Sequence, residues 1–385
     1  MSYYSHLECH QCGEKYDKTI IHSYCKKCTQ PLTAKYSLHP GIPKEIIRKE
    51  QSGMWRYADL LPIEDEKNIV TLGEGWTPML DLIKTAAASG VSVVYMKEEG
   101  LNPTGSFKAR GIGMAVSKAK ELGIKTFCIP TAGNAGSALA AYVAAMDGES
   151  FIYMPEATPR VFQLDCEVMG AKVTKINGSI RDAGLAMASD NAEGRWWDIT
   201  TLKEPFRLEG KKTMGYEIAE QLNWSLPDVI IYPTGGGTGL IGIWKAFQEM
   251  LEMGWVTHIP TRMVAVQTVG CNPVVKAFEA GQGFCDLCEN PQETIANGLR
   301  VPKAFGDRLI MKTIYESKGI ALDVSEEDMK SAIYEFGKSE GIFLSPEGAA
   351  VYSGFTKLVR SGFIGPKDKV VLINTGSPYK YVENL

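Results

Sequence analysis

The sequence has no strong charge of either sign: 41 Lys and Arg against 45 Asp and Glu leave a net −4 over 385 residues. That excludes a basic field able to hold nucleic acid or an anionic membrane, so any phosphate must be bound locally. No uninterrupted apolar run approaches the length of a membrane span. Met1-Ser2-Tyr3-Tyr4-Ser5-His6 forms neither a basic nor an apolar leader. The expectation is a cytoplasmic protein with no membrane or nucleic-acid partner. A disulfide framework is missing too, because nine cysteines, an odd number, are dispersed through a long chain, as suits reduced thiols and metal ligands. No internal repeat or low-complexity segment stands out, and the tryptophans are too scattered for a stacking platform.

What is present begins with four of those cysteines. Cys9-His10-Gln11-Cys12 and Cys25-Lys26-Lys27-Cys28 are two Cys-x-x-Cys hooks separated by twelve residues. Such hooks present paired thiolates to one tetrahedral zinc, and a closed four-sulfur shell makes the site structural. His10 and His22 are spare donors. Cys285-Asp286-Leu287-Cys288, with Cys271 upstream, lacks a fourth ligand and reads as free or buried thiols.

From Asn68 onward the pattern alternates strand, glycine-rich turn and helix. Strands are expected at 91–96, 126–129, 150–154, 172–176, 229–232, 263–267 and 369–373. Helices are expected at 112–122, 135–146, 158–169, 211–222, 240–253, 325–336 and 345–359. This alternation predicts α/β architecture with mostly parallel sheets covered on both faces.

Asn102-Pro103-Thr104-Gly105-Ser106-Phe107-Lys108-Ala109-Arg110-Gly111 places a lone lysine between a strand and a helix start. The dipole of the helix and an apolar Phe107 would both favour a neutral, imine-forming amine. Three turns then follow strands: Thr131-Ala132-Gly133-Asn134-Ala135, Gly235-Gly236-Gly237-Thr238-Gly239, and Thr375-Gly376-Ser377. The first offers backbone N–H groups to a carboxylate and an amide to a ring hydroxyl. The second lacks side chains where a phosphate must approach. A dinucleotide fingerprint at Gly237 to Gly242 lacks its partner acid, since no Asp or Glu occurs between Gly254 and Gly270. Walker A fails because Ala332 stands where its first glycine belongs. An imine-forming lysine with these three turns supplies the groups that pyridoxal phosphate requires.

Those motifs, with Leu72-Gly73-Glu74-Gly75-Trp76-Thr77-Pro78 and Glu209-Gly210-Lys211-Lys212-Thr213, resemble the fold-type II pyridoxal phosphate enzymes from about Trp55 to the C-terminus. Within these they are similar to the threonine synthase family, some members of which also begin with a zinc-ribbon-like segment. The resemblance implies two open-sheet α/β domains behind that segment: residues 1–38 the ribbon, 39–111 with 196–385 the large cofactor-binding domain, and 112–195 the small domain. It implies that Lys108, beside Phe107, forms the internal aldimine, that Asn134 bonds the ring oxygen and that Gly235, Gly236, Gly237, Thr238 and Gly239 hold the phosphate. Thr375 or Ser377 would face the pyridine nitrogen as a neutral partner. Thr131, Ala132, Gly133 and Ala135 would take the substrate carboxylate, and Cys9, Cys12, Cys25 and Cys28 the zinc.

The implied activity is conversion of O-phospho-L-homoserine to L-threonine and phosphate by a homodimer acting on a small amino acid. Ala109, the run Asn134-Ala135-Gly136-Ser137, the glycine run of the phosphate turn and Thr200-Thr201 depart from the synthase pattern, so a serine or threonine dehydratase, or another β-replacement or elimination on a small amino acid, stays open. Arg207, Arg110 and Lys211 are candidates for a second anion, each with a surface ion pair as its plainer reading. A zinc-ribbon binding protein on an inactive scaffold is the alternative from a different class.

Overall fold

The computed structural model describes residues 2–384. The chain divides into two compact units, Met1–Trp76 with Asn102–Thr213, and Thr77–Leu101 with Met214–Leu385.

In the first unit, β1 (Tyr4–Cys9), β2 (Lys15–Tyr16) and β3 (Leu32–Tyr36) form an antiparallel sheet in the order β2-β1-β3. A parallel sheet follows in the order β8-β7-β6-β9, made of β6 (Thr126–Pro130), β7 (Glu149–Pro155), β8 (Lys172–Ile176) and β9 (Trp197–Asp198). Its helices are α2 (Lys108–Glu121), α3 (Asn134–Ala145), α4 (Arg160–Val168) and α5 (Ile180–Asp190). Leu7, Cys9, Cys25, Leu32 and Ala34 share one continuous core with Ala109, Ile112 and Val116 of α2 and Leu139 and Val143 of α3.

Residues 1–38 belong to the same compact unit as 39–76 and 102–213 and share its core. The lysine turn and residues 39–76 also fall in the first unit rather than with the six-stranded sheet.

The second unit holds β4 (Met79–Asp81), α1 (Ile83–Ser89), β5 (Val93–Glu98), β10 (Val229–Pro233), α7 (Thr238–Glu252), β11 (Arg262–Thr268) and α8 (Pro273–Glu279). It continues with α9 (Asp307–Glu316), β12 (Ile320–Val324), α10 (Glu326–Glu340), α11 (Pro346–Arg360) and β13 (Lys369–Asn374). Strand order is β12-β11-β10-β13-β5-β4, parallel except for the β4-β5 pair. Every residue of β10 is buried, as helices on both faces require. Helix α6 (Phe206–Gln221) starts in the first unit and ends in the second.

Elements absent from the sequence reading have non-local causes. The first N–H groups of α8, those of Val274 and Val275, are taken by the Gln267 amide oxygen at 2.8 and 3.4 Å, a cap that local sequence does not advertise. Helix α2 begins at Lys108, four residues before the expected Ile112, because Lys108-Ala109-Arg110-Gly111 carries no apolar period yet is buried from Ala109 onward. No helix among the described residues is long and apolar enough to cross a membrane.

Candidate active site

The expected site residues fall on both units. In the first, the Asn102 side-chain oxygen accepts the Gly75 N–H at 2.9 Å, which ties the opening signature to the lysine turn. Thr104 (φ +58°) and Gly105 (φ +67°) then reverse the chain through the left-handed region. Glu74, fully buried, accepts the Trp55 indole at 2.7 Å and the Tyr142 hydroxyl at 2.5 Å, fixing the signature from beneath. The Tyr142 hydroxyl is held firmly protonated by burial and by Glu74.

Lys108 is the first residue of α2. Its Nζ lies 4.2 Å from the centre of the Phe107 ring. Phe107 thus turns a ring face to the amine, a contact attractive to a cation, rather than the purely apolar contact expected. Lys211 Nζ donates to the Phe107 carbonyl and lies 4.0 Å from the same ring. Gly210 makes this possible: a Cβ there would lie 2.0 Å from the Arg110 carbonyl oxygen, so α6 crosses α2 backbone on backbone. Arg110 donates to the Thr213 hydroxyl at 3.0 Å. Residues 209–213, expected only as a family motif, therefore brace the helix that opens with Lys108.

Residues 131–133 form the turn from β6 into α3, and Asn134 and Ala135 open that helix. The Thr131 hydroxyl accepts the Gly133 N–H at 3.3 Å. In the first turn of α3 the Ser137 hydroxyl is buried with no hydrogen-bond partner among the described residues. The sequence names it only as part of a run that departs from the synthase pattern and gives it no role.

The three candidate cations are not surface ion pairs. Arg110, Arg207 and Lys211 are all buried. Arg207 donates to the Ile199 carbonyl at 2.7 Å and faces Glu204, whose carboxylate accepts the Arg207 N–H at 3.0 Å. Burial pushes the Glu204 carboxyl up, and Arg207 opposes the shift. The guanidinium helps hold the start of α6, although its Nε has no hydrogen-bond partner among the described residues. Thr200 is occupied locally, its N–H donating to Asp198 at 2.9 Å.

In the second unit, Gly235 to Gly237 lead from β10 into α7, which Thr238 and Gly239 open and whose first-turn N–H groups lack intrahelical acceptors by geometry. A Cβ would lie 2.2 Å from the Gly298 carbonyl at Gly235 and 1.9 Å from the Tyr232 hydroxyl at Gly239. The turn is bare because the protein behind it leaves no room for side chains, and a bare turn at a helix start fits a phosphate. Glu347, a first-turn acid of α11 whose plainest role is to complement the helix dipole, is buried and accepts the Gly298 N–H at 2.9 Å and the Tyr381 hydroxyl at 3.2 Å. It fixes the segment that backs Gly235.

Thr375, 5% exposed, follows β13, and Ser377 ends the same turn. Asn374 holds this turn: its amide donates to both Glu98 oxygens at 2.9 and 2.8 Å, and its oxygen accepts from Ser345 at 2.8 Å. The Gly100 N–H also donates to Glu98, at 2.9 Å. Burial pushes the Glu98 carboxyl up to about 7, with Asn374 and Gly100 opposing and Glu99 assisting. Its folded value exceeds the unfolded one, so its stabilising contribution is complete below the ordinary carboxylate range and is lost as pH rises through about 7. Between roughly pH 5 and 8 the wild type is expected to lose about 2 kcal/mol relative to Glu98→Gln. Urea unfolding of both proteins at the two pH values checks this, and parallel pH dependences would refute it.

The four cysteines converge. The sulfurs of Cys9, Cys12, Cys25 and Cys28 all lie within 4.8 Å of one another, with Cys9–Cys28 at 3.4 Å and both Cys12–Cys25 and Cys12–Cys28 at 3.6 Å. Sulfurs around a tetrahedral zinc are separated by about 3.8 Å, from Zn–S bonds of about 2.3 Å. The cluster therefore fits a metal. The spare donors His10 and His22 are not members of it. Cys271 and Cys285 are buried and Cys288 half-buried, as free thiols.

Comparison with known proteins places the chain in a family. A family model described as pyridoxal-phosphate dependent enzyme matches residues 70–376. A threonine synthase of Methanocaldococcus jannaschii is 35% identical over 97% of this chain and 92% of its own. One from Methanosarcina acetivorans is 35% identical over 96% of this chain and 91% of its own. A solved L-serine ammonia-lyase from Rhizomucor miehei aligns with a TM-score of 0.67 at 22% identity, covering 78% of this chain and 93% of that one, a likeness of fold. Lysine turn, glycine turn and sequence likeness converge: the chain belongs to the pyridoxal-phosphate-dependent enzymes and, among them, to the threonine synthase family.

Proposed function

We propose that this chain carries pyridoxal phosphate on Lys108 and converts O-phospho-L-homoserine to L-threonine and phosphate. The observation that carries the reading is the braced position of Lys108 at the first residue of α2, in a chain of this family. Gly235 to Gly239 hold the cofactor phosphate, Asn134 its ring oxygen, and Thr375 or Ser377 its pyridine nitrogen. Thr131 to Ala135 hold the substrate carboxylate. When bound, the cofactor supplies an electron sink for carbanions at the substrate's α-carbon. The Lys108 amine takes the proton from that carbon and returns it. A hydroxyl at the pyridine nitrogen supplies no negative charge to keep the ring protonated, which suits elimination and replacement over transamination. The cysteine cluster holds a structural zinc, and the enzyme is a cytoplasmic homodimer, as the family resemblance implies.

One observation favours a second reading, a serine or threonine dehydratase. Arg110, Arg207 and Lys211 each spend a donor on a protein oxygen, which reduces what they offer a substrate phosphate. Offering O-phosphohomoserine, serine and threonine separately, and measuring phosphate, threonine and 2-oxo acid, divides the two. Threonine with equimolar phosphate is expected. Appearance of 2-oxo acid alone, from the unphosphorylated substrates, overturns the synthase assignment in favour of the dehydratase.

A further inference from the structure

The four-cysteine module lies far along the sequence from Lys108, yet a chain of contacts within the first unit leads from one to the other. Strand β3 begins four residues after Cys28 and pairs antiparallel with β1, in a register that matches Leu32 with Cys9 and Tyr36 with Tyr4. The two paired strands therefore carry a metal ligand at one end and Tyr36 at the other. At that second end the Tyr36 hydroxyl donates to a Glu209 oxygen at 2.7 Å. The same oxygen pairs with Lys212 at 2.9 Å, with both side chains fully buried. Lys212 Nζ also lies 3.6 Å from the centre of the Tyr36 ring. Tyr36 thus touches both members of a buried ion pair, one through its hydroxyl and the other through its ring.

The next residues of α6 meet the lysine turn directly. Gly210 packs against the Arg110 carbonyl, Lys211 donates to the Phe107 carbonyl, and Thr213 accepts from Arg110. At Gly111 a Cβ would lie 2.8 Å from the Arg207 carbonyl, so both helices approach with backbone atoms rather than flexible side chains. A shift of α6 at Glu209 is therefore passed to residues 107–110 rather than absorbed.

We infer that Tyr36 is a positioning residue for Lys108, transmitting the order of the four-cysteine module through Glu209 and Lys211 to the start of α2. The inference rests on reading Lys108 as the cofactor's lysine and the cysteines as a zinc site. Tyr36→Phe removes the hydroxyl and keeps the ring beneath Lys212, so the buried Glu209 carboxylate loses one donor while the core volume is retained.

The test uses purified full-length wild type and Tyr36→Phe, with zinc content, thermal unfolding, pyridoxal phosphate affinity of the resolved enzyme and the pH titration of its lysine-bound absorbance band. In Tyr36→Phe, zinc and a single cooperative transition are retained. Cofactor affinity falls about fivefold to tenfold, a part of the roughly tenfold or more that one hydrogen bond to a charged group is worth, and the pH midpoint of the band moves. Unchanged affinity and midpoint overturn the inference. Loss of zinc or of cooperative unfolding overturns it as well, since Tyr36 would then hold the module together rather than transmit its order. A wild type without a borohydride-sensitive band sinks the reading of Lys108 and this inference with it, whereas identical bands in the two proteins sink the inference alone.

Discussion

Lys108→Ala is expected to lower turnover by at least about a thousandfold and to remove the borohydride-sensitive band, while the protein keeps its fold. The size of the effect follows from the two tasks assigned to one amine, covalent attachment of the cofactor and proton transfer at the substrate α-carbon. No neighbour is placed to take over both. Lys211 is the other ammonium on the Phe107 ring, but it donates to the Phe107 carbonyl and is anchored by the Gly210 crossing. Absorbance before and after borohydride, circular dichroism and turnover with and without an added primary amine are the measurements. Partial rescue by the amine supports the assignment. A Lys108→Ala protein that keeps the reducible band would move the covalent role to another lysine, with Lys211 the first to examine.

The second large effect is expected from Cys25→Ser. Cys25 is fully buried, lies 3.6 Å from Cys12, accepts the Tyr16 hydroxyl at 3.3 Å and belongs to the same core as α2 and α3. Breaking a structural four-cysteine shell forfeits metal-binding free energy that is also folding free energy. A loss on the order of 5 kcal/mol lowers the unfolding midpoint by about 10 to 20 °C in a unit of this size. Scanning calorimetry of the variant and of chelator-treated wild type should agree. If both melt where untreated wild type does, the cluster does not stabilise the unit through a metal.

Much of this molecule was legible in its sequence because the signals are local. Parallel strands buried on both faces are short apolar runs, and the one expected at 229–232 falls one residue short of β10, while the edge strand expected at 172–176 coincides with β8 although its residues are exposed or half-buried. The lysine turn, the three later turns and both cysteine hooks carry their chemistry in consecutive residues. What stayed hidden depends on partners remote in the chain. Glu98 ends an apolar strand with nothing nearby to show that Asn374, 276 residues away, would donate to it. Glu347 looked like a first-turn acid because Gly298 is 49 residues off. Arg110, Arg207 and Lys211 read as surface charges because burial of a cation depends on acceptors that only the fold assembles. The pair of adjacent acids at a strand end just before the lysine turn, Glu98 and Glu99, was the one readable hint.

The glycine turn before α7 also bears on how such an enzyme can diverge. Gly235 and Gly239 are closed from behind by the Gly298 carbonyl and the Tyr232 hydroxyl, so neither can acquire a side chain without a change elsewhere. Gly133, at the start of α3, is different: its backbone is extended, and a Cβ would meet nothing nearer than Phe162 at 3.9 Å. A single substitution therefore finds room at Gly133, though not at Gly136, where a Cβ would lie 2.7 Å from the Thr131 methyl, whereas Gly235 and Gly239 admit one only together with a second change.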